Sequence, residues 1–376
     1  MKFQQLIMLL AIAMLSASCA VKKPFVEDVT LPTADKMAAG NTVKLFRNLK
    51  KSAAGGVMFG QQDAVLYGIG WKGDKNRADV KSVCGDYPAV YGWEIGRIEH
   101  GNKYSIDSVN FNLMRKRIIE AYKRGGVNTI SWHCDNPMTG GNAWDVSKSD
   151  AVASVLPGGV KHELFMTWLD RVADFLNSLK SGNENIPILF RPFHEHTASW
   201  FWWGENYCTP VQYKALVRMT IDHFRQKGLH HIMYIYSPDQ TDNVSRYFER
   251  YPGDDYMDLL GVDYYQQNGI AGAEQYMQTM HNIFAMLTPE ARKRNKLLVF
   301  SETGLEGLPM NNWWTDVLLK TVSHYPLAYV MVWRNAYDKP GHFFGPYPGN
   351  PSAGNFIEFY KSRKTLFQTD IKNMYK

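Results

Sequence analysis

The fold is decided by three consecutive segments: VNTISWHC (127–134), LFMTWLDRVADFLNSLK (164–180) and IPILFRPF (186–193). The first and third are short apolar runs, which is typical of strands that are buried on both faces. The second spaces its apolar residues along one side of a helix. A strand, a helix and another strand in this order form a βαβ unit, whose two strands lie parallel in one sheet.

The same alternation extends in both directions from this unit. Strands are predicted at 56–62, 88–95, 127–134, 186–193, 231–238, 257–265, 296–302 and 327–335. Helices are predicted at 33–53, 105–126, 164–180, 211–228, 271–294, 311–325 and 355–375. Eight parallel strands with helices between them close into a (β/α)8 TIM barrel, an α/β fold whose active site lies at the carboxyl ends of the strands. We therefore predict a single catalytic domain over residues 35–376.

The composition excludes several classes of protein. Hydrophobic residues make up 45% of the chain and aromatic residues 14%, which excludes a disordered protein. The net charge is +6, but the Lys and Arg residues are scattered along the sequence, so no nucleic-acid partner is expected. No glycine-rich phosphate-binding motif follows a predicted strand, which disfavours a nucleotide cofactor.

The first residues predict export rather than structure. Lys2 precedes a short apolar run over 6–15, and the small residues 16–18 stand directly before Cys19. This pattern is typical of a bacterial lipoprotein signal, with a plain secretory signal as the alternative. We expect a signal peptide over 1–18, lipidation of Cys19 and a tether over 19–34. The mature protein would be anchored in the outer membrane, facing the periplasm in preference to the cell surface.

Three further cysteines are present, namely Cys84, Cys134 and Cys208. An odd number allows at most one disulfide bond in an oxidising compartment. Cys134 and Cys208 follow neighbouring predicted strands and form the candidate pair. The sequence does not decide whether they form a disulfide.

Two predicted strands end on a glutamate. Glu195 follows the fourth strand in RPFHEH (191–196), and Glu302 follows the seventh in FSETG (300–304). Hydrolysis of a glycosidic bond requires two facing carboxyl groups, one to protonate the departing oxygen and one to attack the anomeric carbon. The many aromatic residues beside these motifs fit sugar binding, because flat side chains pack against sugar rings. His194 and His196 flank an acid, but no third ligand is evident and no metal is expected.

Six motifs together resemble glycoside hydrolase family 26, whose members are chiefly β-mannanases. They are FGQQ (59–62), WHCDNP (132–137), RPFHEHTASWFWWG (191–204), GVDYY (261–265), FSETG (300–304) and VWRNA (332–336). The resemblance covers about residues 40–360. It implies a retaining glycosidase of the barrel clan with catalytic glutamates on strands four and seven, so that Glu195 is the acid/base and Glu302 the nucleophile. It also implies sugar-binding roles for His133, Arg191, His194, Trp200, Tyr265, Trp333 and Arg334.

Other residues are assigned from their place in the sequence. At least one of Trp200, Trp202 and Trp203 is expected to form a sugar platform, because three tryptophans in four positions are hard to bury together. Trp313 and Trp314 lie within a predicted helix and are expected in the core. His342, on the long loop 338–352, is a candidate contact at the rim of the site.

The resemblance predicts a retaining β-mannanase that hydrolyses β-1,4-mannosidic bonds in mannan, glucomannan or galactomannan. It would work as a monomer and without a cofactor. A related β-glycanase acting on lichenan or xylan, and a non-catalytic glycan-binding lipoprotein, are the two alternatives. The conformations of the long loops 138–162 and 338–352 cannot be inferred from the sequence. Endo or exo action and the tolerance of galactose branches therefore stay open.

Overall fold

The computed structural model of the chain describes residues 32–241 and 243–376. The predicted signal peptide, the predicted lipidation site Cys19 and most of the predicted tether lie outside these residues. Thr33 and Ala34, the last residues of that tether, are buried, and the Ala34 N–H donates to Asp258 Oδ1 over 2.6 Å. Thr33 and Ala34 therefore pack with the barrel, although the sequence places them in the tether.

Eight parallel strands form a closed barrel, as predicted. They are β1 (Val57–Gln62), β2 (Val90–Glu94), β3 (Val127–Trp132), β4 (Ile188–Pro192), β5 (Ile232–Tyr236), β6 (Leu259–Leu260), β7 (Leu297–Thr303) and β8 (Leu327–Val332). Each strand pairs with the next, and β8 pairs with β1 through Met58–Tyr329 and the three following pairs. This closure brings the carboxyl ends of all eight strands to one end of the barrel.

Ten α-helices are described. They are α1 (Gly40–Ala53), α2 (Asp79–Cys84), α3 (Phe111–Lys123), α4 (Ala151–Val155), α5 (His162–Asn177), α6 (Pro210–Gln226), α7 (Val244–Phe248), α8 (Ala273–Lys293), α9 (Lys320–Val322) and α10 (Ala353–Lys361). A π-helical turn, Trp314–Leu319, leads into α9. None of the helices in the described part of the chain has both the length and the apolar character of a membrane span.

Three predicted helices are wrong over part of their length. The one predicted at 105–126 begins only at Phe111, where the side chain of Asn110 caps it. The entry helix begins at Gly40 and not at residue 33, because hydrogen bonds hold the preceding segment against the barrel. The Ala34 N–H donates to Asp258 Oδ1, and the Ala39 N–H donates to His230 O. The last helix ends at Lys361 and does not continue to residue 375. Instead Thr365–Leu366 forms a short strand, β9, that pairs with the start of β1.

The helix α1 closes the amino-terminal end of the barrel. Its residues Leu45, Phe46 and Leu49 are fully or almost fully buried and join one apolar cluster with the first residues of the strands, such as Met58 and Leu259. Burial of three large apolar side chains is worth several kcal/mol, at about 1.5–3 kcal/mol each. The barrel is therefore sealed at this end, and its polar chemistry is confined to the other.

The candidate disulfide is absent. Cys84, Cys134 and Cys208 are all free thiols. The Cys208 thiol donates to Trp203 O over 3.3 Å, whereas the Cys134 thiol lies against Asp135 O at 3.4 Å. The two sulfur atoms thus have separate partners, and the loops that carry them are held by hydrogen bonds.

Candidate active site

An open cleft of about 660 Å³ lies at the carboxyl ends of the strands. Most of its wall comes from loops after β3, β4, β6, β7 and β8. Seven of the predicted site residues line it, namely His133, Glu195, Trp200, Tyr265, Glu302, Trp333 and His342. Such a concave site, lined by aromatic side chains with a few convergent polar groups, is the expected form of a ligand-binding cleft.

The two glutamates meet at the floor of this cleft. One carboxylate oxygen from each of Glu195, Glu302 and Asp263 lies within 4.8 Å of the other two. The guanidinium of Arg191, fully buried beneath the floor, donates to Asp263 Oδ2 over 2.7 Å and to Glu302 Oε1 over 2.5 Å. Arg191 thus supplies a fixed positive charge between two of the three carboxyl groups.

Glu302 is held by a donor at each carboxylate oxygen. Arg191 donates to Oε1, and the Tyr265 hydroxyl donates to Oε2 over 3.1 Å. Glu302 lies within β7, and the backbone of Tyr264 donates to its carbonyl oxygen over 3.0 Å. The side chain is therefore fixed in one orientation and bonded as an ionised carboxylate.

Asp263, which the sequence analysis did not select, completes this arrangement. It stands in the middle of the GVDYY motif, and its backbone pairs with Asp239 after β5 and with Glu302 in β7. Its side chain accepts a hydrogen bond from Ser301 Oγ over 2.7 Å. Burial raises its pKa to about 7, although Arg191 opposes the shift. A charged residue inside an apolar strand was the signal that could have identified it.

Glu195 occupies a strained turn directly after β4. The backbone angle φ is +52° at Glu195 and +50° at Phe193, two residues earlier. The Glu195 N–H donates to Ser237 O over 2.7 Å. Non-glycine residues with positive φ cost free energy and are concentrated at functional sites. Desolvation in the cleft, followed by the negative charges of Glu302 and Asp263, raises the pKa of Glu195 well above its ordinary value. The two glutamates therefore lie in different environments.

The aromatic run after Glu195 divides into core and surface. Trp202 and Trp203 are fully buried, and their indole N–H groups donate to Cys134 O and His194 O. Trp200 is 44% exposed in the cleft, and its indole N–H donates to Glu195 Oε2 over 2.6 Å. Trp200 is thus the one of these three tryptophans that is exposed as a platform. Trp313 and Trp314, in a different part of the chain, are fully buried, as expected.

A further aromatic residue, Trp144, was missed. It is 47% exposed, lines the cleft, and stacks on the His133 ring with centroids 5.0 Å apart. It belongs to the long loop 138–162, whose conformation cannot be inferred from the sequence. The signal available in the sequence was a tryptophan among the polar and glycine residues of a loop.

His133 is positioned by a buried carboxylate, that of Glu94 at the end of β2. Its Nδ1 lies 2.7 Å from Glu94 Oε2, and Ser131 Oγ donates to the same oxygen. The other oxygen accepts from the backbone N–H groups of His133 and Gly96. Burial alone would lower the pKa of His133, but Glu94 outweighs it and leaves that pKa raised. This pairing leaves Nε2 of His133 for a ligand.

Three predicted binding residues do not line the cleft. Arg191 lies beneath the floor, and His194 is buried with its ring 4.6 Å from that of His133. Burial and the nearby Arg191 hold the pKa of His194 well below its usual value. Arg334 lies to one side, paired with Asp107 over 2.7 Å.

The family model "Glycosyl hydrolase family 26" matches residues 34–318, which is most of the chain. The chain belongs to glycosyl hydrolase family 26. It is 48% identical to a GH26 β-mannanase of known structure from Bacteroides ovatus, with a TM-score of 0.88 over 90% of this chain and 98% of that one.

Curated relatives of this family 26 chain carry one recurrent name. It is 31% identical over 360 residues to a mannan endo-1,4-β-mannosidase from Bifidobacterium adolescentis, a match covering 89% of this chain and 35% of the relative. It is 33% identical over 202 residues to a mannan endo-1,4-β-mannosidase from Bacillus subtilis, a match covering 50% of this chain and 53% of the relative. The matches thus span about a third and a half of the lengths of these two relatives.

Two loops at the rim of the family 26 cleft are joined by a side-chain hydrogen bond. His342 Nδ1 lies 2.7 Å from Glu306 Oε1, which joins the loop after β8 to the loop after β7. The backbone strengthens this junction, because Gly307 N–H donates to Phe343 O over 2.9 Å. His342 is therefore at the rim, as predicted.

Replacing Glu94 by glutamine tests the role of the His133 pair. We expect kcat/KM to fall about tenfold to a hundredfold, because a charge-assisted hydrogen bond is worth about 1.5–3 kcal/mol and burial would then favour neutral His133. Steady-state kinetics would measure this, with Glu163→Gln, an exposed change on α5, as the matched control. An unchanged kcat/KM in Glu94→Gln would show that the pair has no part in catalysis.

Proposed function

We propose that this chain is a retaining β-mannanase that hydrolyses β-1,4-mannosidic bonds in mannan, glucomannan or galactomannan by double displacement. The observation that carries the proposal is the approach of the Glu195 and Glu302 carboxylate oxygens to within 4.8 Å. Retaining glycosidases hold their two carboxyl groups about 5–5.5 Å apart, whereas inverting enzymes need about 6.5–9.5 Å to admit a water molecule.

In the first step Glu302 attacks the anomeric carbon. A bond forms between its carboxylate oxygen and that carbon while the glycosidic C–O bond breaks, and Glu195 gives its proton to the departing oxygen. Tyr265 and Arg191 hold the attacking carboxylate in place, which supplies orientation before the reaction begins. The leaving sugar then departs with the proton.

In the second step Glu195 acts as the base. Because the negative charge of Glu302 is lost in the ester, one cause of the raised pKa of Glu195 disappears. Glu195 then accepts a proton from water, whose oxygen attacks the anomeric carbon and displaces Glu302 as a carboxylate. Two inversions at one carbon give net retention.

The preference for mannan rests on the relatives, since paired glutamates on this barrel do not identify the sugar. Hydrolysis of mannan, glucomannan, lichenan and xylan should be compared under one set of conditions, with released reducing ends as the readout. We expect mannan and glucomannan to be hydrolysed fastest. Faster release from lichenan or xylan would favour the related β-glycanase, and binding without release would favour a non-catalytic glycan-binding protein.

The dependence of the reaction on pH follows from Glu195. Its raised pKa keeps the acid protonated to higher pH than an ordinary glutamate, so kcat/KM should fall only as the pH rises through that pKa. Trp200 donates to Glu195 Oε2 and so favours the ionised form. In Trp200→Phe the alkaline limb of the kcat/KM profile should therefore move to higher pH. A limb that moves to lower pH would contradict this assignment.

The proposal also includes export and membrane attachment through Cys19. It is supported by Lys2, the apolar run 6–15 and the small residues 16–18 before the cysteine. Mass spectrometry of the mature protein would test it. We expect a lipid-modified Cys19 at the amino terminus, whereas an unmodified terminus beyond residue 19 would favour a plain secretory signal.

A further inference from the structure

All the exposed side chains of α1 are basic. Its inward residues close the barrel, and its exposed side chains include Lys44, Arg47, Lys50 and Lys51. The helix contains no acidic residue, and none of these four basic side chains forms an ion pair with any residue that the structure describes. Scattered charges in the sequence are thus gathered by the fold into one patch.

Neighbouring segments extend this patch. Lys50 Nζ donates to Asn295 Oδ1 over 2.6 Å, which places the basic end of α8 beside α1. Asn48 donates to Met374 O over 3.0 Å, which places the carboxyl-terminal segment on its other side. These two segments add further exposed basic residues, namely Arg292, Lys293, Arg363, Lys364, Lys372 and Lys376. We refer to these ten residues, four on α1 and six around it, as the basic face.

The basic face lies at the opposite end of the barrel from the cleft. α1 packs on the first residues of the strands, whereas Glu195 and Glu302 stand at their carboxyl ends. The described part of the chain begins at this same amino-terminal end of the barrel. Ala34 is hydrogen-bonded to Asp258, just before β6, and Ala39 to His230, just before β5. The 31 residues that precede Pro32 are therefore joined to the protein beside this face.

We infer that the basic face docks on an anionic lipid headgroup layer, with the cleft directed away from it. A membrane carries negative charge spread over a plane, and the basic face offers many exposed positive charges spread over one end of the barrel. Each Lys or Arg close to such a surface strengthens binding by about fivefold. This docking depends on charges of the barrel itself and does not require lipidation of Cys19.

Vesicle binding by a chain that begins at residue 20 tests the inference, because this chain lacks both the apolar run 6–15 and the predicted lipidation site Cys19 and keeps the whole barrel. Sedimentation with phosphatidylcholine/phosphatidylglycerol vesicles is compared with pure phosphatidylcholine vesicles, at low and high salt. We expect binding to the anionic vesicles only, weakened by salt because exposed charges are screened. Adding Lys44→Glu, Arg47→Glu and Lys51→Glu should weaken it by at least about 100-fold, because three positive charges are lost and three negative charges are added.

The matched control adds Lys75→Glu, Lys103→Glu and Lys148→Glu instead, which makes the same change of charge in exposed loops at the cleft end. This control should keep full vesicle binding, and hydrolysis of mannan by the α1 variant should be unchanged, which shows that the barrel is folded. Equal binding to both vesicle types, or equal losses in the two triple variants, would overturn the inference. A salt-sensitive dimer without vesicle binding would do the same and would assign the face to a second copy of the chain.

Discussion

Glu302→Ala is expected to lower kcat on mannan by at least about a thousandfold, corresponding to about 4 kcal/mol of lost barrier lowering. The reason is that Glu195 is needed as the acid, and that Asp263, the third carboxyl group, is fully buried and does not line the cleft. Steady-state kinetics would measure the loss. Azide should restore turnover of a reactive aryl mannobioside by entering from the vacated side and giving the α-azide.

The matched control for this loss is Glu306→Ala. Glu306 lines the same cleft four residues later, but it is exposed and bonded to His342. Its replacement should change kcat by much less than tenfold. A Glu302→Ala variant that retains a tenth of the activity would contradict the assignment of Glu302 as the nucleophile. Because Arg191 keeps its bond to Asp263 in this variant, the barrel should remain folded.

Glu195→Ala should separate the two chemical steps. A substrate with a good leaving group needs no protonation, so the first step should remain fast, whereas the second step should slow because the base is missing. The ester on Glu302 should then accumulate, and intact-protein mass spectrometry would detect it as one added glycosyl unit. Azide should attack this intermediate from the side of Glu195 and give the β-azide.

The result that would contradict this role is a uniform loss. If Glu195→Ala slowed reactive and unreactive substrates equally and no intermediate accumulated, Glu195 would not be the acid/base. Thr197→Ala, two residues later, is the matched control. Thr197 lies in the same turn as Glu195, but its hydroxyl donates a hydrogen bond to Asp239 O and it lies outside the floor of the cleft. It should leave the ratio of the two substrate rates unchanged.

The barrel could be predicted from the sequence because its strands are buried on both faces and appear as apolar runs. The predictions fail at the ends of the chain, where bonds between distant residues decide the structure. Residues 33–39 have a helix-compatible composition, yet Ala34 and Ala39 are fastened to the barrel by Asp258 and His230. The carboxyl-terminal segment likewise pairs with β1 and leaves the helical pattern.

The site shows the same division. Both glutamates could be found because each stands at the carboxyl end of a recognisable strand. Glu94 and Asp263 were missed because their roles depend on contacts with distant parts of the sequence. Glu94 contacts His133, which is 39 positions away, and Asp263 contacts Arg191, which is 72 positions away. Trp144 was missed because it belongs to a long loop, and no local pattern tells where such a loop places a side chain. Sequence motifs thus identified the reacting groups, and tertiary structure was needed for the groups that position them.

If Glu302 attacks the sugar directly, the first product must keep the anomeric configuration of the substrate. The anomeric signals of manno-oligosaccharides released by a high concentration of the enzyme should be followed by proton NMR, before mutarotation equilibrates them. We expect the β-anomer to appear first and the α-anomer only later, by mutarotation. An α-anomer that appears first would mean attack by water, and would contradict the roles given to both Glu302 and Glu195.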